Sequence, residues 1–336
     1  MPTALLIGFE YNFNSLTGAI IDLYNAYKWC HSFGLHSCDI TVLTDIEFVK
    51  DPDNLQSVIS RGLAEADLLT FYSKTGSKTI IRDAKSLLTE IIRILRLGIP
   101  DNKLIIYYSG HGVKDSMVMP DRTLLPFVDF RDNISNALDP YVEIFWILDC
   151  CNPNGLHLPY KLEGNQFILS PCQVQCVSQP ILLVTSSEAN EKSIATKSGS
   201  VFSRHLFRLL TAMNTDTELL MRKKTVNIPV SRNRNLRRLI GNLGSSIRRM
   251  HTGYAQTVSI YSSYITDPIL WMWIGSSKSY DIVADMSLST LIVRNRDRVF
   301  TPLPKNLRFS DLKSTREAVQ TGIRQAENPY DSVYPD

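Results

Sequence analysis

Hydrophobic positions in this chain gather into short unbroken runs. Ala4 to Gly8, Ile40 to Leu43, Leu104 to Tyr108, Ile144 to Leu148 and Ile181 to Thr185 are continuous rather than alternating, the pattern of strands buried on both faces. Between the second and third runs, Ile80, Ala84, Leu87, Leu88, Ile91 and Leu95 recur at helical spacing. That predicts a helix with Thr79 as its cap and Gly98 and Pro100 as its stop. A further amphipathic pattern, Leu236, Leu239, Ile240, Leu243 and Ile247, precedes a strand-like stretch from Thr257 to Ser262 and an apolar run from Ile269 to Ile274. Strands alternating with helices predict an α/β sandwich around a mostly parallel central sheet.

The compact region is expected to span residues 1–275. Periodicity fades beyond Gly275, so 276–336 is expected to be a partly disordered extension. No apolar run approaches the roughly 20 residues of a membrane-crossing helix. Met1 to Glu10 lacks the basic start of an export signal, so neither a membrane nor a secretory context is expected. A composition of 44% hydrophobic and 21% charged residues excludes a disordered chain. The net charge of +3 is too small to select nucleic acid or membranes through bulk electrostatics. Six cysteines without an export signal predict free thiols in a reducing compartment, hence an intracellular, cytoplasmic location, with the nucleus as the alternative.

Candidate chemistry sits at the ends of two apolar runs. Ser109-Gly110-His111-Gly112 follows Leu104 to Tyr108, which puts an imidazole on a glycine-flanked turn at the carboxyl end of a strand, where α/β sheets bind ligands. The plainer reading is a turn whose glycines supply positive φ and whose histidine only faces solvent. Asp149-Cys150-Cys151-Asn152 follows Ile144 to Leu148 in the same way. Taken alone, the two cysteines read as small buried hydrophobes. If the strands are neighbours, a thiol and an imidazole share one crevice, the arrangement for nucleophilic catalysis.

Ala4-Leu5-Leu6-Ile7-Gly8 with Tyr11, Leu16, Gly18 and Asp22, then Leu43-Thr44-Asp45, Tyr108 to Gly112 and Asp149 to Cys151, is similar in order and spacing to the metacaspases of the caspase clan. Gly199 to Leu210 resembles the small-subunit helix of such domains, and Gln256 to Ser262 the strand after it. The resemblance implies a caspase-like α/β/α sandwich, with a large-subunit-like part at about 1–170 and a small-subunit-like part at 180–275. It implies His111 as general acid/base and Cys151 as nucleophile, with Cys150 turned into packing. The oxyanion donors map to the N–H groups of Gly112 and Cys151, a kind of donor worth about 2.7 to 4 kcal/mol in other enzymes.

Its acidic pocket maps to Asp22 and Asp149 beside Ser109, so the expected substrates are peptides or proteins with Arg or Lys at the cleaved position. A carboxylate this near a nucleophilic thiol raises the thiol pKa, and binding a substrate cation is a reason to keep it there. The alternative makes Asp22 a solvated residue on the first helix and Asp149 a strand-end cap.

The chain departs from the family in two places. Asn152-Pro153-Asn154-Gly155 replaces the usual His-Ser-Gly and is one residue longer, so the loop under the nucleophile must be rebuilt. Leu125 to Phe130 matches the lead-in to the calcium-binding segment, but Ser135-Asn136 stands where that segment has its acidic pair, leaving only Asp129 and Asp132. Calcium favours several carboxylate oxygens, so calcium activation is not expected, nor is any other cofactor. Cys172, Cys176 and His157 lack the second pair of a zinc site. With no long segment before Ala4, regulation by such a segment is not expected.

Two rival functions stand beside the peptidase: an inactive caspase-like decoy or scaffold, fed by the altered loop, and a nucleic-acid binder. The latter rests on Arg222, Lys223, Lys224, Arg232, Arg234, Arg237, Arg238, Arg248 and Arg249, a stretch without an acidic residue. Their interleaving with the second amphipathic pattern favours a solvated helix face, so nucleic acid is not the expected partner. In the metacaspase reading, Arg222 to Lys224 is the most loop-like self-cleavage site.

Overall fold

The computed structural model describes residues 3–32, 34–46, 71, 77–163, 166–170, 177–222 and 256–263, with 294–295 and 298–299. The chain divides into units 1–278 and 279–336. In the second, Arg294–Asn295 pairs antiparallel with Arg298–Val299. The amphipathic 236–247 pattern, the 269–274 run, the basic residues from Lys223 to Arg249 and the cysteines Cys172 and Cys176 lie outside the described residues.

The first unit is organised by a nine-stranded sheet. Six strands run parallel: β3 (Ser77–Ile80), β2 (Ile40–Thr44), β1 (Thr3–Gly8), β4 (Lys103–Ser109), β8 (Glu143–Asp149) and β11 (Ile181–Thr185), in that spatial order. β14 (Ser259–Ser262) then pairs antiparallel with β11, and the hairpin β9 (Tyr160–Glu163) and β10 (Gln166–Leu169) completes the sheet on its far side. All five apolar runs are strands of this sheet, and the stretch before Ser262 supplies β14.

Their unbroken apolarity follows from helices on both faces. Ala4 and Leu6 of β1, with Tyr107, Phe145 and Ile147, pack against α1 (Ala19–Ser32) and α4 (Val201–Arg222) through Leu23, Trp29, Phe202 and Leu206. Leu5 and Ile7, with Ile106, Trp146 and Leu148, pack on the other face against α2 (Ala84–Leu95) and α3 (Phe127–Asn136) through Leu87, Ile91 and Phe130. Each side chain so buried contributes roughly 1.5–3 kcal/mol. The result is an α/β/α sandwich, as the alternation of strands and helices predicts.

One element starts later than its pattern predicts. Thr79 and Ile80 belong to edge strand β3, where Ile80 is partly exposed, and the cap of α2 is Asp83. Its carboxylate accepts the Ser86 N–H at 2.6 Å while the Ser86 hydroxyl accepts the Asp83 N–H at 3.2 Å, a reciprocal capping box.

Beyond β4 the chain forms a small separate sheet of β5 (Gly112–Val113), β6 (Ser116–Val118) and β7 (Leu124–Pro126). Lys114 and Asp115 form the two-residue turn between β5 and β6, both at positive φ (46° and 60°), as such hairpin turns require.

Candidate active site

The parallel register sets Gly8, Ser109 and Asp149 side by side at the carboxyl ends of β1, β4 and β8. His111 and Cys151 each follow two residues later, so the thiol and the imidazole leave neighbouring strands at the same edge. Gly112 brings the two loops together. A Cβ on it would lie 2.1 Å from the Cys151 carbonyl oxygen, so only glycine permits this approach.

The His111 imidazole bonds through Nε2 to the Asn14 carbonyl at 2.7 Å. A carbonyl only accepts, so Nε2 carries the proton and Nδ1 is the basic nitrogen of the neutral ring. The histidine peptide is held as well: its N–H donates to the Tyr11 hydroxyl and its carbonyl accepts from the Tyr108 hydroxyl, both at 2.8 Å. The Tyr11 ring lies over the imidazole with centroids 4.6 Å apart.

Cys151 is half-buried and its sulfur accepts the Ser193 N–H at 3.3 Å. Burial pushes the thiol pKa up, Asp149 adds to the rise, and the Ser193 N–H and Lys192 oppose it. Cys150 is 1% exposed and belongs to the core on the α2–α3 face, with its carbonyl taken by the hydroxyls of Ser186 and Ser187.

On the opposite face, Asp22 and Asp149 share one buried polar site, at 2% and 4% exposure. Asp22 is therefore not a solvated helix residue. It accepts the Ser200 N–H on both oxygens, at 2.9 and 3.0 Å, and the Ser109 hydroxyl at 3.2 Å. Asp149 accepts the hydroxyls of Ser193, at 2.8 Å, and Ser203. Burial raises the pKa of Asp22 well above the carboxylate range, with Asp149 the next cause; burial likewise raises Asp149. Gly18 and Gly199 let α1 approach the β12 (Ala195–Thr196) and β13 (Gly199–Ser200) hairpin. A Cβ on Gly18 would lie 2.6 Å from the Gly199 nitrogen, and Gly199 itself has φ 95°.

The lengthened loop after the nucleophile is anchored. Asn152 turns at φ 51° and its N–H bonds the Glu191 carbonyl at 3.3 Å. Leu156 is fully buried, and its carbonyl accepts from Arg131 Nη1 at 2.7 Å. Arg131 also pairs with Asp132 at 2.6 Å, so that carboxylate already has a cation. Asp129 is exposed in the first turn of α3. Among the described residues no three His, Cys, Asp or Glu side chains are grouped to hold a metal ion.

Beside Asn152 opens a cavity of about 490 Å³ lined by Val113, Lys114, Asp115, Asn152, Ala189 and Asn190. Four of these six residues have left-handed backbone: Lys114 and Asp115 as the hairpin turn, and Asn152 and Asn190, a residue type that enters this region readily.

Residues 1–269 match the family model described as the caspase domain. The chain belongs to the caspase-domain family of cysteine peptidases. No curated protein matches the sequence. Among solved structures, one similar chain is protein GSU0716 of Geobacter sulfurreducens, at 12% identity and a TM-score of 0.46, covering 79% of this chain and 94% of that one.

Within this caspase domain, sequence patterns lead to His111, Cys151, Gly112, Asp22, Ser109 and Asp149, and the fold brings them to one edge of the sheet. They do not lead to Asn14, which acts through a backbone carbonyl, or to Ser193, Ser200 and Ser203, which reach the site from 44 to 178 residues away. Tyr11 and Asp45 stand in the family-like motifs but carry no sign there that Tyr11 contacts the histidine or that Asp45 holds the Tyr11 N–H.

Proposed function

We propose that this caspase-domain protein is an intracellular endopeptidase of metacaspase type that cleaves after Arg or Lys. The observation that carries the reading is the pair of buried carboxylates, Asp22 and Asp149, held by neutral donors beside the candidate nucleophile. Burial raises the pKa of both carboxyls and Asp149 raises that of Asp22 further, and a substrate guanidinium or ammonium entering between them relieves that cost through charge-assisted hydrogen bonds.

In the proposed reaction the Cys151 thiol passes its proton to His111 Nδ1 and attacks the scissile carbonyl. The oxyanion is met by the N–H groups of Gly112 and Cys151. His111 then protonates the leaving amine, and water, with His111 as base, hydrolyses the thioester. The Asn14 carbonyl holds the Nε2 proton and stabilises the imidazolium between the two transfers. No cofactor takes part in these steps, and calcium has no role in them.

The second reading, an inactive decoy, draws on the rebuilt Asn152 loop and on the Ser193 N–H that occupies the thiol. One experiment separates the two: turnover of fluorogenic peptides bearing Arg, Lys or Asp before the reporter, with and without calcium. Turnover of the Arg and Lys peptides alone supports the proposal. Silence toward all three, with the protein folded, sinks it in favour of the decoy.

A further inference from the structure

Tyr11 occupies a conformation that its side chain does not favour. It follows β1 at φ 61°, in the left-handed region that a bulky residue rarely enters. An asparagine or glycine would take that turn with less strain, so the aromatic ring is kept for what it touches. Its hydroxyl accepts the His111 N–H at 2.8 Å and donates to the Val118 carbonyl at 3.0 Å, and its face covers the imidazole. Phenylalanine would fill the same space and leave both of those backbone groups without that partner.

The strained turn is clamped from the next strand. Asp45, one residue past β2, accepts the Glu10 N–H on one carboxylate oxygen and the Tyr11 N–H on the other, both at 2.8 Å. Tyr11 is also packed in the core on this face, in edge contact with Phe9, but burial alone does not direct its hydroxyl to the His111 N–H. The path from Asp45 through Tyr11 to His111 is continuous and made only of hydrogen bonds and ring contact.

We propose that Asp45 and Tyr11 are positioning residues that fix the His111 imidazole for proton transfer, Asp45 by clamping the turn after β1 and Tyr11 by bonding and stacking on the histidine. The inference rests on the reading of His111 as general acid/base. It assigns a task to two residues that do not themselves touch substrate.

The test uses the full chain with Tyr11→Phe, Asp45→Asn and the double variant. Asparagine keeps one acceptor oxygen and loses the other, releasing one of the two N–H groups. Each single variant is expected to lower kcat about 10- to 100-fold with KM within about twofold, as small misplacements of a catalytic group do. The double variant should lose little more than the worse single one, because both act on one imidazole. The pH profile of iodoacetamide alkylation at Cys151 should shift in the same variants, with no peptide involved. Leu95→Ala, a core truncation on α2, lowers thermal stability and leaves kcat alone, which removes loss of stability as the cause.

Folded variants that keep wild-type kcat and alkylation profile, or that lose rate through KM only, overturn the inference. If the wild type turns over no peptide, the reading of the site fails instead. The His111 ring resonances still decide the positioning role in that case: a shift in Asp45→Asn sustains it, and unchanged resonances overturn it.

Discussion

The backbone N–H of Ser200 reaches both carboxylate oxygens of Asp22, at 2.9 and 3.0 Å, from a hairpin 178 residues further along the chain. A neutral donor orients a carboxylate without cancelling its charge, and Asp149 stands close enough to raise its pKa further. Arg204 lowers the Asp22 pKa less than burial and Asp149 raise it, and among the described residues no ion pair holds this carboxylate.

The specificity prediction follows directly. Asp22→Ala is expected to lose about 2 to 5 kcal/mol of transition-state binding for Arg substrates, the cost of removing one partner of a buried charge pair, which is roughly 30-fold or more in kcat/KM. Alkylation of Cys151 should continue. Fluorogenic peptides with Arg, Lys and Asp read the outcome, and an unchanged preference, or wild-type cleavage after Asp, overturns the pocket.

The same pair should cost the empty protein stability. A carboxyl whose folded pKa is raised binds its proton more tightly when folded, so its contribution is fully present below the unfolded value of about 3.9 and is lost as pH climbs through the folded value. Asp22→Asn keeps an acceptor for Ser200 and offers a donor toward Asp149. It is expected to melt higher than wild type at neutral pH, by about 2–4 °C per kcal/mol regained, with the gain vanishing near pH 4. Thermal melts across that range check it; a lower melting point at neutral pH contradicts it.

The two adjacent cysteines should separate cleanly. Cys151→Ala is expected to reduce turnover to background, whereas Cys150→Ala keeps most of it and lowers the melting temperature by a few degrees, because its thiol is core volume. Equal loss of turnover in both would contradict the assignment.

Gly112→Ala probes the contact between the two loops. Its methyl would meet the Cys151 carbonyl, a backbone atom with no rotamer to escape into, so the variant is expected to lose about 1–3 kcal/mol of stability together with alkylation of Cys151. Wild-type melting and alkylation would show that the loops are not in contact.

What could be read from sequence was whatever the chain writes locally. Five apolar runs announced five strands because a parallel sheet buries every residue of a strand, and the histidine and cysteine stood out because strand ends meet. β3 escaped because Ser77–Ile80 is a short edge strand, and its Thr79 and Ile80 were absorbed into the helix that follows. The Asp83–Ser86 spacing carried the true cap. Tyr107 and Tyr108 read only as apolar, yet their hydroxyls serve Ser203 and His111. Contacts such as Ser193 with Asp149 join distant segments, and no local pattern encodes them.

The order of strands across the sheet interleaves early and late parts of the chain. β9 and β10 leave the loop after Cys151 and settle outside β14, while β11 and β14, from later sequence, lie between them and β8. A break anywhere in 171–180 would therefore leave the two late strands clasped on both sides by early ones. Such a nicked molecule should migrate as one particle on a native gel and part into fragments only once denatured, its halves held by the sheet and not by the peptide bond.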